Sequence, residues 1–156
     1  MSKDRFERYV VVAQRFGART VLFQEAAARR IGLTATQLEC FQLVRHEGPL
    51  TASDLAKETA LTQASLSVIV DKLVRQMFLS REQDPADRRR WLLSANPAAV
   101  ARVDSVYDAH AMRTAALLDS YSEDELDAAL RFMNRLADEL KQTSIELAQS
   151  RSTDGS

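Results

Sequence analysis

The chain has 156 residues, 46% apolar and 28% charged, with a net charge of −1. That length suits one domain with a real core and is too short for two large ones. A charge so close to neutral excludes a polycation that coats nucleic acid by bulk attraction, so any nucleic-acid role must rest on a local patch. The single cysteine, Cys40, cannot form an internal disulfide, which points to a reducing compartment. No stretch approaches the roughly 20 apolar residues of a membrane span, and the opening "MSKDRFERYV" lacks the apolar run of a signal peptide. The expectation is a soluble cytoplasmic protein without membrane partners.

In chain order, residues 4–30 carry Phe6, Tyr9, Val10, Ala13, Phe16, Thr20, Val21 and Phe23, apolar on more than one face. This predicts a helix buried by more than its own lobe, ended by Gly32. "TATQ" at 34–37 has the form of a capping box, Thr34 with Gln37, opening a helix to about His46. "GPL" at 48–50 breaks it. "TASD" repeats the signal, Thr51 with Asp54, for a short helix to about Thr59. Leu61 and Thr62 start another, to about Gln76, with Leu66, Ile69, Val70, Leu73 and Met77 on one face. The period then changes. "FLSREQ" and "RWLLS" flank a turn and predict a hairpin over 78–94, with Asp84-Pro85 opening a type I turn. Asn96 caps and Pro97 begins a helix striped by Val100, Val103, Tyr107, His110, Thr114, Leu117 and Tyr121. "SEDE" at 122–125 boxes the last helix, with Leu126, Leu130, Met133, Leu136, Leu140 and Leu147 inward. The tail from 151 is expected to be disordered.

The result is a mainly α chain with a small β-hairpin. The first and last helices are too long for the central lobe to cover, since 25 helical residues span roughly 38 Å. A second copy of the chain is the economical cover. The domain boundaries follow: 1–30 a dimerisation helix, 31–95 the lobe, 96–150 dimerisation helices and 151–156 the tail.

Within the lobe, "LAKETALTQASLSVIVDKL" reads as helix-turn-helix, its second helix offered to a major groove. The face away from the core shows Ala64, Val68, Asp71 and Arg75, with Ser65, Ser67 and Lys72 beside them and Gln63 near the leading end. Glutamine pairs with an adenine edge, serine with bases or phosphates, and Ala64 and Val68 suit thymine methyls. Two short amphipathic helices are also common without DNA. The charged turn "DPADRRR" narrows the choice. Taken alone it is a solvated turn of weak ion pairs. Directly after a helix-turn-helix, Arg88, Arg89 and Arg90 suit a wing reaching a minor groove, and Asp87 supplies an acceptor that fixes an arginine's direction. Residues 62–94 hold six Lys/Arg and four Asp/Glu, a local excess of two.

The stretches "LTATQLECFQLV", "LTASDLAKETALTQASLSVIVDKLVRQMFLSR" and "DPADRRRWLLS" closely resemble the MarR family of winged helix-turn-helix transcriptional regulators. The resemblance implies a homodimer built by the first and last helices and a pseudo-palindromic operator of double-stranded DNA. It also implies a small lipophilic or phenolic effector between the DNA lobe and the dimer helices. By position, Arg89 becomes the wing arginine of the minor groove and Asp87 the residue that orients it. Residues 62–68, beginning at Thr62, supply the base-reading face. Three positions depart from the family pattern: Met77 where glycine is usual, Val68 where many relatives carry Arg or Lys, and "NPAA" in place of Thr-Pro-x-Gly.

Other readings are weaker. Cys40 lies among Leu38, Phe41 and Val44, as a buried core cysteine does, and not as an exposed redox sensor. His46 in a last turn suits the helix dipole. His110 packs on its stripe or lines an effector pocket. No spacing suggests a metal site, no cofactor is implied, and no phosphate loop, nucleophile elbow or His-Glu motif supports catalysis. The rival to a DNA-binding regulator, repressor above all, is a helical protein-interaction module on the same dimeric scaffold.

Overall fold

A computed structural model describes residues 3–59 and 61–153. The chain divides into two compact units, residues 1–39 and 40–156.

The first unit is dominated by α1 (Lys3–Arg30). Gly32, at φ 78°, closes the helix in the left-handed region. Its N–H bonds Arg29 O (3.2 Å) and the next N–H, of Leu33, bonds Ala28 O (2.9 Å), so two carbonyls at the helix end are satisfied. The Thr34–Gln37 capping box is formed in both directions: the Gln37 N–H donates to Thr34 Oγ1 and the Thr34 N–H to Gln37 Oε1. It opens α2 (Ala35–Glu47). Ala27, Ala28, Ile31, Leu33 and Leu38 are buried, whereas Phe6, Val11, Val12, Phe16, Val21 and Leu22 are exposed.

The second unit continues α2 and adds β1 (Leu50–Thr51), α3 (Ala52–Glu58), α4 (Gln63–Arg75), β2 (Leu79–Gln83), β3 (Trp91–Ala95), α5 (Pro97–Leu118) and α6 (Glu123–Thr153). Its core gathers Phe41, Val44, Leu55, Leu66, Val70, Leu73, Phe78, Leu79, Leu93, Ala99 and Val103, all buried. Phe41 meets Phe78 edge to face at 5.7 Å, and Arg102 stacks its guanidinium 5.2 Å from the Phe78 ring. Cys40 is fully buried. The hairpin pairs Leu79 with Ala95 and Gln83 with Trp91, leaving 84–90 as the loop. On the other side of β3, β1 pairs Leu50 with Leu93, so the sheet runs β1-β3-β2.

Four expectations are corrected. The two-residue strand β1 carries no sequence period and is defined only by its partner, so the hairpin becomes a three-stranded sheet. Met77 does not join the apolar face of α4. It is 67% exposed at φ 59°, in the position a glycine would take. The loop bends at Pro85–Ala86, where the Asp84 carboxylate accepts the Ala86 N–H (2.9 Å), and turns again where the Arg90 N–H bonds Asp87 O (2.9 Å). On α6, Leu130, Met133, Leu140 and Leu147 are exposed and not inward. That helix runs to Thr153, into the expected tail. Residues 154–156 lie outside the described residues. Among the described residues no helix is long and apolar enough to cross a membrane, and no His/Cys/Asp/Glu group has metal-ligand geometry.

Candidate nucleic-acid interface

Two helix starts and one helix end set this face. Thr51 caps α3, accepting the Asp54 N–H (3.1 Å) while its hydroxyl donates to Asp54 Oδ2 (2.7 Å). Lys57 joins at 3.0 Å. These contacts, the Thr51 hydroxyl first and the Lys57 ammonium second, hold the Asp54 carboxyl down to about 2 from its ordinary 3.8. Thr62 caps α4: it accepts the Ser65 N–H (3.3 Å) and donates to Ser65 Oγ (3.0 Å). The Thr62 hydroxyl and the Ser65 side chain are thus engaged at the helix start. At the other end Met77 N–H bonds Val74 O (3.0 Å) and Phe78 N–H bonds Leu73 O (2.9 Å), the same closure that Gly32 gives α1.

Leu66, Val70 and Leu73 turn α4 inward. The opposite side presents Gln63, Ala64, Ser67, Val68 and Arg75 exposed, with Lys72 half-buried beside them. Val68 is 68% exposed, an apolar side chain with no core to fill. Asp71 on the same side is neutralised by Arg81 of β2, Nη2 to Oδ1 at 3.3 Å. Sequence reasoning missed Arg81; its signal was only a lone arginine on a short strand.

The loop beyond β2 carries the three arginines, and the structure treats them differently. The Asp87 carboxylate accepts the backbone N–H of Arg89 (3.0 Å), so it directs Arg89 through the main chain and not through the guanidinium. Gln83 Nε2 donates to Arg88 O (3.4 Å). The guanidinium groups of Arg88 and Arg89 make no ion pair with the described residues and are exposed. Arg90 reaches back to Asp54 (3.6 Å) and Asp84 (3.9 Å). His110 lies farther along α5, exposed and away from these residues in sequence, with its own partner within the chain.

Two long-range ties hold the lobe's surroundings. Arg45 of α2 bonds Asp104 of α5 at 2.6 Å. Lys141 of α6 pairs with Glu58 at the end of α3, and that contact raises the Lys141 pKa above its ordinary 10.5. Beside this pair a cavity of about 480 Å³ is lined by Thr59, Leu61, Thr62 and Gln63 from the helix-turn-helix and by Ile145 and Ala148 from α6.

This geometry has known counterparts. The profile of the MarR family matches residues 33–91, from two residues before α2 to the first residue of β3. An uncharacterised HTH-type transcriptional regulator of Bacillus subtilis, YcgE, is 32% identical over 149 residues, covering 95% of this chain and 97% of that protein. Among solved structures, a mutant of Staphylococcus aureus MepR superposes with a TM-score of 0.72 at 17% identity, over 85% of this chain and 96% of its own. Streptococcus pneumoniae FabT, solved in complex with DNA, gives 0.67 at 16% identity over 88% and 99%. The fold is that of these winged-helix proteins, and with a relative this similar over nearly its whole length the chain belongs to the MarR family of transcriptional regulators.

Proposed function

We propose that the chain binds double-stranded DNA as a homodimer, and that it is a repressor released from a pseudo-palindromic operator by a small lipophilic or phenolic effector. One observation carries the reading: α4 exposes a face of small and polar side chains, and the loop after β2 exposes Arg88 and Arg89, which pair with no carboxylate among the described residues. A helix with Gln63, Ala64, Ser67 and Val68 on its outer face can lie deep in a major groove, where Gln63 reads an adenine edge and Val68 meets a thymine methyl. Ser65 and Thr62 cap that helix and aim its leading N–H groups at phosphate. Lys72 and Arg75 serve the flanking backbone, and the wing pair reaches the adjacent minor groove with Asp87 fixing the main chain of Arg89. FabT, with the same fold, has been solved with DNA. Two such lobes would sit about one helical turn apart, roughly 34 Å. An effector that favours another spacing would release the operator by population shift, with DNA and effector affinities coupled reciprocally.

The test is a mobility shift on the upstream region of the chain's own gene, at two salt concentrations. Arg89→Ala is expected to weaken binding and to flatten the log–log salt slope by about one unit while the dimer persists. Wild-type protein that shifts no DNA at either salt, yet is dimeric, would make it the helical interaction module instead.

A further inference from the structure

The three consecutive arginines do not share one environment. Arg90 is the last residue of the wing loop, and its main chain is held twice: its N–H bonds Asp87 O (2.9 Å) and its O accepts the Asp84 N–H (3.0 Å). Its side chain lies between two carboxylates, Nη2 to Asp54 Oδ2 at 3.6 Å and Nε to Asp84 Oδ2 at 3.9 Å. Asp54 is itself anchored by Thr51 (2.7 Å) and Lys57 (3.0 Å), and Thr51 pairs with Leu92 in the sheet. Asp84, at the end of β2, has its other carboxylate oxygen on the Ala86 N–H. The guanidinium therefore ties the two ends of the loop, Asp84 and Arg90, to the first turn of α3.

We propose that Arg90 is a positioning residue, which braces the wing against α3 through Asp54, with Asp84 at the other end of the loop holding its guanidinium in line, and leaves Arg88 and Arg89 to meet phosphate. The affinity arm of this proposal rests on the DNA-binding reading above. The physical reason is entropy. A seven-residue loop on a two-stranded ribbon can swing, and any freedom lost on DNA weakens binding. Part-exposed ion pairs are individually weak, but one carboxylate on α3 and one at the far end of the loop give the brace a direction that one alone would not. A positively charged side chain with both carboxylates as neighbours is also a poor phosphate ligand, because DNA would have to displace them.

Trp91, the chain's one tryptophan, follows Arg90 directly and is half-exposed, so its time-resolved anisotropy reports wing motion without DNA. Arg90→Ala, Asp54→Asn and Asp84→Asn are each compared with wild type. The brace predicts more segmental motion at Trp91 in all three and a loss of operator affinity of about three- to five-fold in each. The salt slope stays at the wild-type value, and the Arg90→Ala/Asp54→Asn double variant is no worse than either single. Arg90→Lys, which keeps the charge without the fork, restores little of either property. The proposal is overturned if Trp91 motion is unchanged in all three variants, a result that needs no DNA. It is equally overturned if Arg90→Ala lowers the salt slope by about one while both Asn variants bind as wild type, which makes Arg90 a phosphate contact. Failure of the wild-type protein to bind any DNA would sink the functional reading and leave the anisotropy result to decide the brace.

Discussion

Two helices here close on a left-handed residue, and only one of them uses glycine. Gly32 ends α1 at φ 78° without steric cost, whereas Met77 ends α4 at φ 59° with its side chain in solvent. A non-glycine residue in that region is strained by on the order of 1–2 kcal/mol, and an exposed methionine returns little packing. Met77→Gly should therefore stabilise the fold by about 1 kcal/mol after the extra freedom of the unfolded chain is subtracted. The midpoint of thermal unfolding would rise by about 2–4 °C. A lower midpoint would mean that Met77 packs in the assembled protein. Asp54 supplies a second residue-scale expectation. Its folded carboxyl titrates near 2 and not at 3.8, so the ionised form is favoured by folding. The stability it contributes is complete above about pH 5 and is lost as pH falls through 3.8 toward 2. Asp54→Asn should remove that part of the acid-unfolding curve and leave the neutral-to-alkaline side with no new pH dependence, read by circular dichroism against pH.

Among the elements, α4 carries the candidate base-reading face, and its cap sets where that face starts. The helix begins at Gln63 and is capped by Thr62, whose oxygen takes the Ser65 N–H. Thr62→Ala should cost about 1 kcal/mol and fray the turn that carries Gln63 and Ala64, so DNA affinity should fall more than global stability. Measuring both in one variant separates the effects. Equal losses would leave the cap without a positional role. The three capping boxes, at Thr34, Thr51 and Ser122, were legible in the sequence because each is a local exchange of hydrogen bonds over three residues. The hairpin was legible through its change of period. β1 was not: two residues hold no pattern, and Leu50 and Thr51 become a strand only because β3 lies alongside.

At the scale of the molecule, apolar side chains remain exposed on α1 and on α6. On α6, Leu130, Met133, Leu140 and Leu147 recur at helical spacing along one stripe, which a soluble monomer has no reason to keep. If this stripe joins two copies, Leu140→Glu should convert the dimer to monomer in sedimentation velocity and abolish operator binding, because one lobe alone forfeits the second half-site. A dimer that survives this change would place its interface elsewhere. The Lys141–Glu58 pair then has a use, since it ties the same helix to the end of α3.

What the sequence by itself determined was everything decided within a few residues. The breaks at Gly32, Gly48 and Pro97, the helix starts, the inward face of Leu66, Val70 and Leu73, and the charged wing all follow from local sterics, capping and period. What only the tertiary structure decided was which partner a polar or apolar group finds across the chain. Arg81 meets Asp71, Arg90 meets Asp54, and Arg45 meets Asp104. The reason is physical: a short-range hydrogen bond is selected by the chain's own geometry, but a pairing between distant elements exists only after burial of the core has brought them together.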